Sequence, residues 1–372
     1  MRTARSTHNR LNEDGSRKVF IKSSKKVIMF LLVCTLFLIF VVNKNQRQNT
    51  AMKPMIKYRG GKSKEIPNIM WHVPRFTGRY VEPFFGGGAL FFYLEPRQAI
   101  INDINEKLIQ FYIGVRDDFS SLRAELDEIE GLYTKNRRDF DALKALHPDE
   151  RVEDKNEKMY YKLRAMFNDM APKEYSDALL YYYINKTAYS GMIRYNAKGE
   201  FNVPFGRYAH LNTKSVSLSH SRLLQRAEIY NVDYSEIFNM CNDDDFVFLD
   251  PPYDCVFSDY GNEEYKDGFN EDNHRKLAED FKNLSCKALM VIGRTPLTEE
   301  LYGDSIVDEY QKSYAVNIRN RFKAAATHIV VANYKKNWDD TQVDNSSVRR
   351  YAEVPETMQT MLFEGRVKYG EN

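Results

Sequence analysis

Residues 245–257 read DFVFLDPPYDCVF, and the chemistry sits at one junction within them. Phe246–Leu249 has the composition of a buried strand, which then meets Asp250, Pro251, Pro252 and Tyr253. Prolines donate no backbone hydrogen bond and fix φ, so they end a strand and stiffen the turn beyond it. An acid before the kink and an aromatic ring after it place a hydrogen-bond acceptor and a flat face at one strand end. Two further segments end in loaded turns. Val81 leads into Glu82, Pro83, Phe84, Phe85 and three glycines, Gly86 to Gly88, where backbone can approach a ligand and turn sharply. Asp103 closes the apolar run QAIIN, the position from which an acid reaches ribose hydroxyls in nucleotide-binding sheets. Upstream, Tyr58-Arg59-Gly60-Gly61-Lys62 sets an aromatic ring and a lysine around two glycines. Each feature alone has an ordinary structural reading: a tight turn, a solvated strand-end acid, a solvated lysine at a helix start. Together they describe a site for an adenosine and a second flat ring. The glycine spacing is not G-x-G-x-x-G, and the lysine segment is too short for a phosphate-cradling P-loop.

The elements that must carry these turns are strands and helices in alternation. Strands are predicted at 79–83, 98–102, 228–232, Phe246–Leu249, 288–292 and 329–334, with helices after the glycines and around 272–284. Such alternation implies a mostly parallel α/β sheet, in which ligands bind where strands deliver their C-terminal ends. From 106 to about 183 the apolar residues recur at helical spacing, as in LRAELDEIEGL and YYKLRAMFNDM. Residues 191–208, GMIRYNAKGEFNVPFGRY, return to polar and aromatic alternation around Ala197-Lys198-Gly199, a hairpin signal. The expected organisation is an N-terminal extension (1–51), a ligand-binding sheet from 52–104 and 226–335, a helical and hairpin insertion at 105–225, and a peripheral tail at 336–372.

The 372 residues carry a net charge of +2, but unevenly. Residues 1–51 hold ten Lys and Arg against two acids, which leaves the rest at −6. A nucleic-acid surface, if the body carries one, is therefore a local basic patch. Four scattered cysteines without a C-x-x-C pair disfavour a zinc site and a disulfide framework, and point to reduced, intracellular thiols. Residues 27–42 form an uncharged apolar run of about 24 Å as a helix, short of the roughly 30 Å hydrocarbon core of a bilayer. Three readings stand: a membrane anchor, a cleaved signal, or an upstream extension with Met52 as the functional start.

At these residues the chain resembles the Dam-type, alpha-group N6-adenine DNA methyltransferases, over about residues 52–334. KYRGGK is similar to the opening motif of that family, VEPFFGGGALF to its methyl-donor glycine motif, INDIN to its ribose acid, and LDPPY to its catalytic motif. INKTAYSGMIRYNAKGEFNVPFGRY resembles its target-recognition hairpin. The resemblance implies a Rossmann-like methyltransferase sheet with an inserted helical and β-hairpin target-recognition domain. It implies S-adenosylmethionine bound by Tyr58, Lys62, Asp103 and Asp250, with contacts at Glu82, Pro83, Phe84, Gly86 and Gly88, and no metal. It implies double-stranded DNA met by Tyr189, Arg194, Asn196 and Arg207, with Arg319 and Arg321 as phosphate contacts. Asp250, Pro251, Pro252 and Tyr253 would be catalytic, acting on an adenine flipped from the duplex. GATC is the leading candidate site, a cognate restriction endonuclease a candidate partner, and a cytoplasmic monomer the expected state. An RNA base methyltransferase and a membrane-tethered, non-catalytic DNA-binding protein are the competing readings. One departure from the family pattern lies after the strand at 288–292, where Gly293-Arg294-Thr295 replaces a Ser-Asn-x-Asp stretch.

Overall fold

A computed structural model of the chain describes residues 51–58, 60–253, 269–313 and 325–335. The chain divides into two compact units, Met1–Ala51 and Met52–Asn372, and the described elements belong to the second. The apolar segment 27–42, Arg59, Arg319, Arg321 and the tail lie outside the described residues. Among the described residues no helix is long and apolar enough to cross a membrane.

Seven strands form one sheet: β1 (Tyr80–Glu82), β2 (Ala99–Asn102), β3 (Ala227–Tyr230), β4 (Phe246–Leu249), β5 (Lys287–Gly293), β6 (Ile306–Ser313) and β7 (Ala325–Ala332). Their order is β3-β2-β1-β4-β5-β7-β6, parallel from β3 through β5, with β7 antiparallel to both its neighbours. The chain runs outward from β1 to β2 on one side and from β4 to β5 on the other. The crevice between the C-terminal ends of β1 and β4 is thus the point where the winding reverses, the ligand position of open α/β sheets. All four residues of β4 are buried, as are all three of β1, because both faces of the sheet are covered. The period-two pleat sorts them into two cores. Tyr80, Ile101, Phe246, Phe248 and Leu289 pack on one face, and Val81, Ile100, Val247, Leu249 and Met290 on the other.

The first of these cores continues into the helical region, where α1 (Glu106–Asp117), α2 (Phe119–Leu146), α3 (Lys155–Phe167) and α4 (Asp177–Thr187) pack around Phe111, Tyr160 and Tyr182. Each of α1, α3 and α4 starts at a polar cap whose side chain accepts from the first turn: Asn105, Asp154 and Ser176. The structure differs from expectation in three places. The segment 191–208 follows a hairpin path, but its pairing is reduced to two isolated antiparallel bridges, Ala188↔Phe205 and Tyr195↔Phe201. Pro204 offers no N–H, and the Asn196 side chain takes the amides of Lys198 and Glu200, so no continuous ladder forms. The last strand runs Ala325–Ala332 and is antiparallel. The polar edge strand β6, VDEYQKS after its first residue, carries no apolar alternation and was not anticipated.

Candidate active site

Three strand ends and one loop converge at the reversal point. β1 delivers Glu82 as a buried carboxyl, hydrogen-bonded by the Tyr80 hydroxyl at 2.8 Å; burial pushes its pKa well up. The chain then turns through Pro83 and Phe84. The Asn102 amide at the end of β2 donates to the Pro83 carbonyl at 3.0 Å, and the Phe84 ring lies 5.2 Å from that of Tyr234. Gly86 has φ +47°, and a Cβ there would come within 2.8 Å of the Tyr58 ring. Gly88 has φ +62°, and a Cβ there would meet the Phe85 ring at 2.4 Å. These two glycines are therefore required by backbone conformation and by space.

Asp103, just past β2, is buried and accepts from the Gly86 amide at 2.8 Å and from the Asn105 amide at 3.0 Å. Burial raises its pKa to about 6, with those two amides working in the opposite direction. The loop Tyr58 to Lys62 lies over the glycines. Lys62 opens a short 3-10 turn, Lys62–Lys64, yet its side chain is only 2% exposed. It reaches Asp250 Oδ1 at 2.5 Å and donates to the Gly60 carbonyl at 3.2 Å. The sequence left a solvated lysine as one option; the structure buries it in an ion pair at the end of β4. Burial raises the Asp250 pKa, while the charge of Lys62 and its hydrogen bond lower it. Pro251 and Pro252 carry the chain to Tyr253, whose ring lies 5.0 Å from Lys62 Nζ and 5.1 Å from the His328 ring.

The structure thus gathers Tyr58, Lys62, Glu82, Pro83, Phe84, Gly86, Gly88, Asp103 and Asp250 to Tyr253 at one edge of the sheet. Sequence reasoning passed over Glu65, Tyr310, Lys312 and His328, which meet beside them. The Glu65 carboxylate contacts His328 Nδ1 at 2.7 Å, the Tyr310 hydroxyl at 2.7 Å and Lys312 Nζ at 2.5 Å. One local signal existed, an acid three residues after Lys62 and hence one turn on. Its partners lie on β6 and β7, too distant in the chain for spacing to reveal.

The hairpin residues lie elsewhere on this unit. Tyr189 is 43% exposed, in a turn where Ser190 and Gly191 both have positive φ. Arg194 is exposed, with Nε donating to Asn202 Oδ1 at 2.9 Å. Asn196 is engaged inside the turn: its amide nitrogen donates to Glu200 at 2.7 Å, and its oxygen accepts two backbone amides. Arg207 is exposed, has φ +53° and pairs with Glu157 at 3.2 Å. Among the described residues, no group of three or more His, Cys, Asp or Glu side chains is placed to hold a metal ion.

Comparisons with known proteins bear on this site. The sequence model of the D12 class N6 adenine-specific DNA methyltransferases matches residues 58–318. The chain is 34% identical over 291 residues to the Type II methyltransferase M.CviBI of Paramecium bursaria Chlorella virus NC1A, covering 76% of this chain and 100% of that protein. It is 31% identical over 309 residues to the Type II methyltransferase M1.LlaDCHI of Lactococcus lactis subsp. cremoris, covering 79% and 99%. A DNA adenine methylase of Salmonella typhi shares 30% identity over 255 residues, covering 67% of this chain and 84% of its own length.

Proposed function

The chain belongs to the D12 class of N6 adenine-specific DNA methyltransferases, and we propose that Asp250, Pro251, Pro252 and Tyr253 are its catalytic residues. The activity of the class is methyl transfer from S-adenosylmethionine to adenine N6 in DNA. The observation that carries the assignment of residues is the pairing of the buried Lys62 with the half-buried Asp250 beside the DPPY kink.

The residues present fit the methyl donor. A lysine and an aspartate side by side match the two charges of an amino-acid moiety. Asp103 offers a carboxylate to ribose hydroxyls, and Gly86 and Gly88 form a cradle that a Cβ would fill. Tyr58, Lys62, Asp103 and Asp250, with the turn from Glu82 through Gly88, are the proposed cofactor-binding residues. When bound, the donor supplies an electrophilic methyl group on a sulfonium sulfur.

The adenine N6 amine is a weak nucleophile because its lone pair is delocalised into the ring. In our reading Asp250 and the Pro251 carbonyl accept its two N–H bonds, which draws the nitrogen toward tetrahedral geometry. Lys62 holds Asp250 Oδ1, so Oδ2 is the oxygen assigned to the amine. Pro251 and Pro252 keep both acceptors fixed, leaving little reorganisation in the transition state. The raised pKa of Asp250, caused by burial, favours its taking the proton that N6 loses. Tyr253 gives the flipped base a face to stack on.

For the DNA we assign Tyr189 to enter the duplex and Arg194 to read a guanine, since a guanidinium can bond both O6 and N7. Arg207, Arg319 and Arg321 are assigned to phosphates, and Asn196 to the turn that presents Arg194. The likeness of the hairpin to those of GATC methylases supports GATC as the site. The Type II names of two relatives support a cognate restriction endonuclease. One candidate edge and one hairpin among the described residues support action as a monomer, and a DNA substrate supports a place beside the nucleoid in the cytoplasm. Mapping N6-methyladenine in DNA from cells expressing the chain tests this: methylation at GATC is expected, and another motif would overturn that choice. Equal methylation of RNA and duplex DNA in vitro would overturn the assignment of the hairpin to double-stranded DNA.

A further inference from the structure

A polar cluster that the proposed mechanism does not use lies against Tyr253. At its centre is Glu65, 5% exposed, on the residue after the 3-10 turn that carries Lys62. Burial acts to raise its pKa, but the His328 hydrogen bond, the Lys62 charge and bonds from Lys312 and Tyr310 overcome it, and the value falls to about 2. Glu65 is therefore ionised, and an ionised carboxylate only accepts hydrogen bonds. It follows that His328 Nδ1 carries a proton and donates it at 2.7 Å.

His328 is completely buried, and the sheet explains why it is there. It pairs with Gly293 at the C-terminal end of β5 and with Tyr310 of β6. The antiparallel β7 thus brings a residue from its first half to the edge where the parallel strands end. The imidazole stands edge to face against the Tyr253 ring, at 5.1 Å between centroids and 81° between planes. On β5 a Cβ at Gly293 would lie 3.7 Å from Tyr253 Cδ2, so the glycine backbone borders the same ring. Lys62 completes the surround at 5.0 Å. The Gly60 carbonyl accepts from both Lys62 at 3.2 Å and Lys312 at 3.4 Å, linking the Asp250 pair to the Glu65 pair.

We propose that Glu65 and His328 are positioning residues for methyl transfer: the carboxylate orients the imidazole, and the imidazole sets the plane of Tyr253 on which the flipped adenine stacks. This rests on the assignment of Tyr253 to stacking. Stacking planes set the angle at which N6 faces the methyl group, and small misplacements of reacting groups cost large factors in rate. Neither residue touches the base, so their effect falls on kcat and leaves ground-state binding of DNA in place.

The test uses the full chain with duplex DNA carrying 2-aminopurine at the target adenine. The variants are Glu65→Gln, His328→Asn and Tyr253→Ala, singly and with Tyr253→Ala as the second change. Glu65→Gln is expected to lower kcat by about ten- to a hundredfold, with KM for DNA and for the methyl donor within about twofold. The emission of the flipped 2-aminopurine should shift as its stacking changes. His328→Asn keeps a donor toward Glu65 and removes the ring edge; it should show the same loss, and it carries the test if Glu65→Gln does not fold. In the Tyr253→Ala background either change should add nothing, because their effect runs through that ring. Full additivity with Tyr253→Ala, or a loss confined to KM, overturns the positioning role and leaves the stacking assignment intact. Unchanged kcat and emission for Tyr253→Ala alone overturns the stacking assignment itself.

Discussion

The proposed catalytic edge and the proposed target hairpin are built by different means. At the edge, charged groups are buried or half-buried and paired with one another: Lys62 with Asp250, and Glu65 with Lys312 and His328. At the hairpin, Tyr189, Arg194 and Arg207 are exposed, and the loop is held from behind by hydrogen bonds to its backbone, most from neutral side chains and one from Arg164 to the Val203 carbonyl at 3.1 Å. Asn168 exchanges two bonds with Phe201, at 2.8 and 3.0 Å, and the hydroxyls of Tyr160 and Tyr133 donate to the carbonyls of Val203 and Tyr208. Chemistry needs acceptors that do not move as charge shifts, and burial with fixed partners supplies that. Reading a base sequence needs reach into a groove, and an exposed loop on a packed helical base supplies it. Asn185 ties the regions together: its side chain on α4 accepts from the Lys57 amide at 3.0 Å and donates to its carbonyl at 2.7 Å. The stretch of chain leading to Lys62 is thereby tied to the helix that leads to Tyr189.

The contrast can be broken most severely at the buried pair. Lys62→Ala leaves Asp250 without its buried counter-charge, and truncating one member of such a pair costs about 2–5 kcal/mol. Calorimetry should find binding of the methyl donor weakened by at least about thirtyfold, with DNA affinity nearly unchanged. An equal loss of DNA affinity would erase the division between the two regions.

Next is the pH response of Asp103. Its pKa is raised from 3.8 to about 6, chiefly by burial. The stability this group contributes is therefore present below about pH 4 and lost as pH rises through 6. With Asp103 as the proposed ribose ligand, donor binding runs the other way, because ribose hydroxyls bond best to the ionised form. Affinity measured between about pH 8 and pH 5 should fall with a midpoint near 6 in the wild type, and Asp103→Asn should flatten that dependence.

The smallest of these effects is at the hairpin. Arg194→Ala should cost about 1–3 kcal/mol of discrimination at a single base pair. Competition assays with singly substituted duplexes read that relaxation, and kcat on the cognate site should change little. A variant that keeps its discrimination but loses kcat would assign Arg194 to the chemical step.

Much of the edge was legible in the sequence because its signals are local. Phe246–Leu249 was predicted as a strand and is one, since a four-residue apolar run ended by prolines permits little else. Asp103 and the glycines follow their strands directly, so their placement came with the strand assignments. The burial of Lys62 was not legible, because it depends on a carboxylate 188 residues away. Glu65 and His328 are separated by 263 residues, and His328 sits in an ordinary apolar strand where a histidine announces nothing. The hairpin was legible as a path and not as a ladder. Side-chain bonds from Asn196 and the proline at 204 win over strand pairing there, a competition between local options that alternation does not reveal.

We propose that the end of β4 performs the transfer, while most of the affinity for duplex DNA comes from elsewhere on the chain. It is tested most directly by Asp250→Ala, with methyl transfer to duplex DNA and DNA affinity measured on the same preparation. The predicted result is that N6-methyladenine formation falls to background while the dissociation constant for cognate duplex stays within about threefold, less than about 1 kcal/mol. Near-normal turnover by Asp250→Ala, or loss of transfer accompanied by an equal loss of DNA binding, would contradict it.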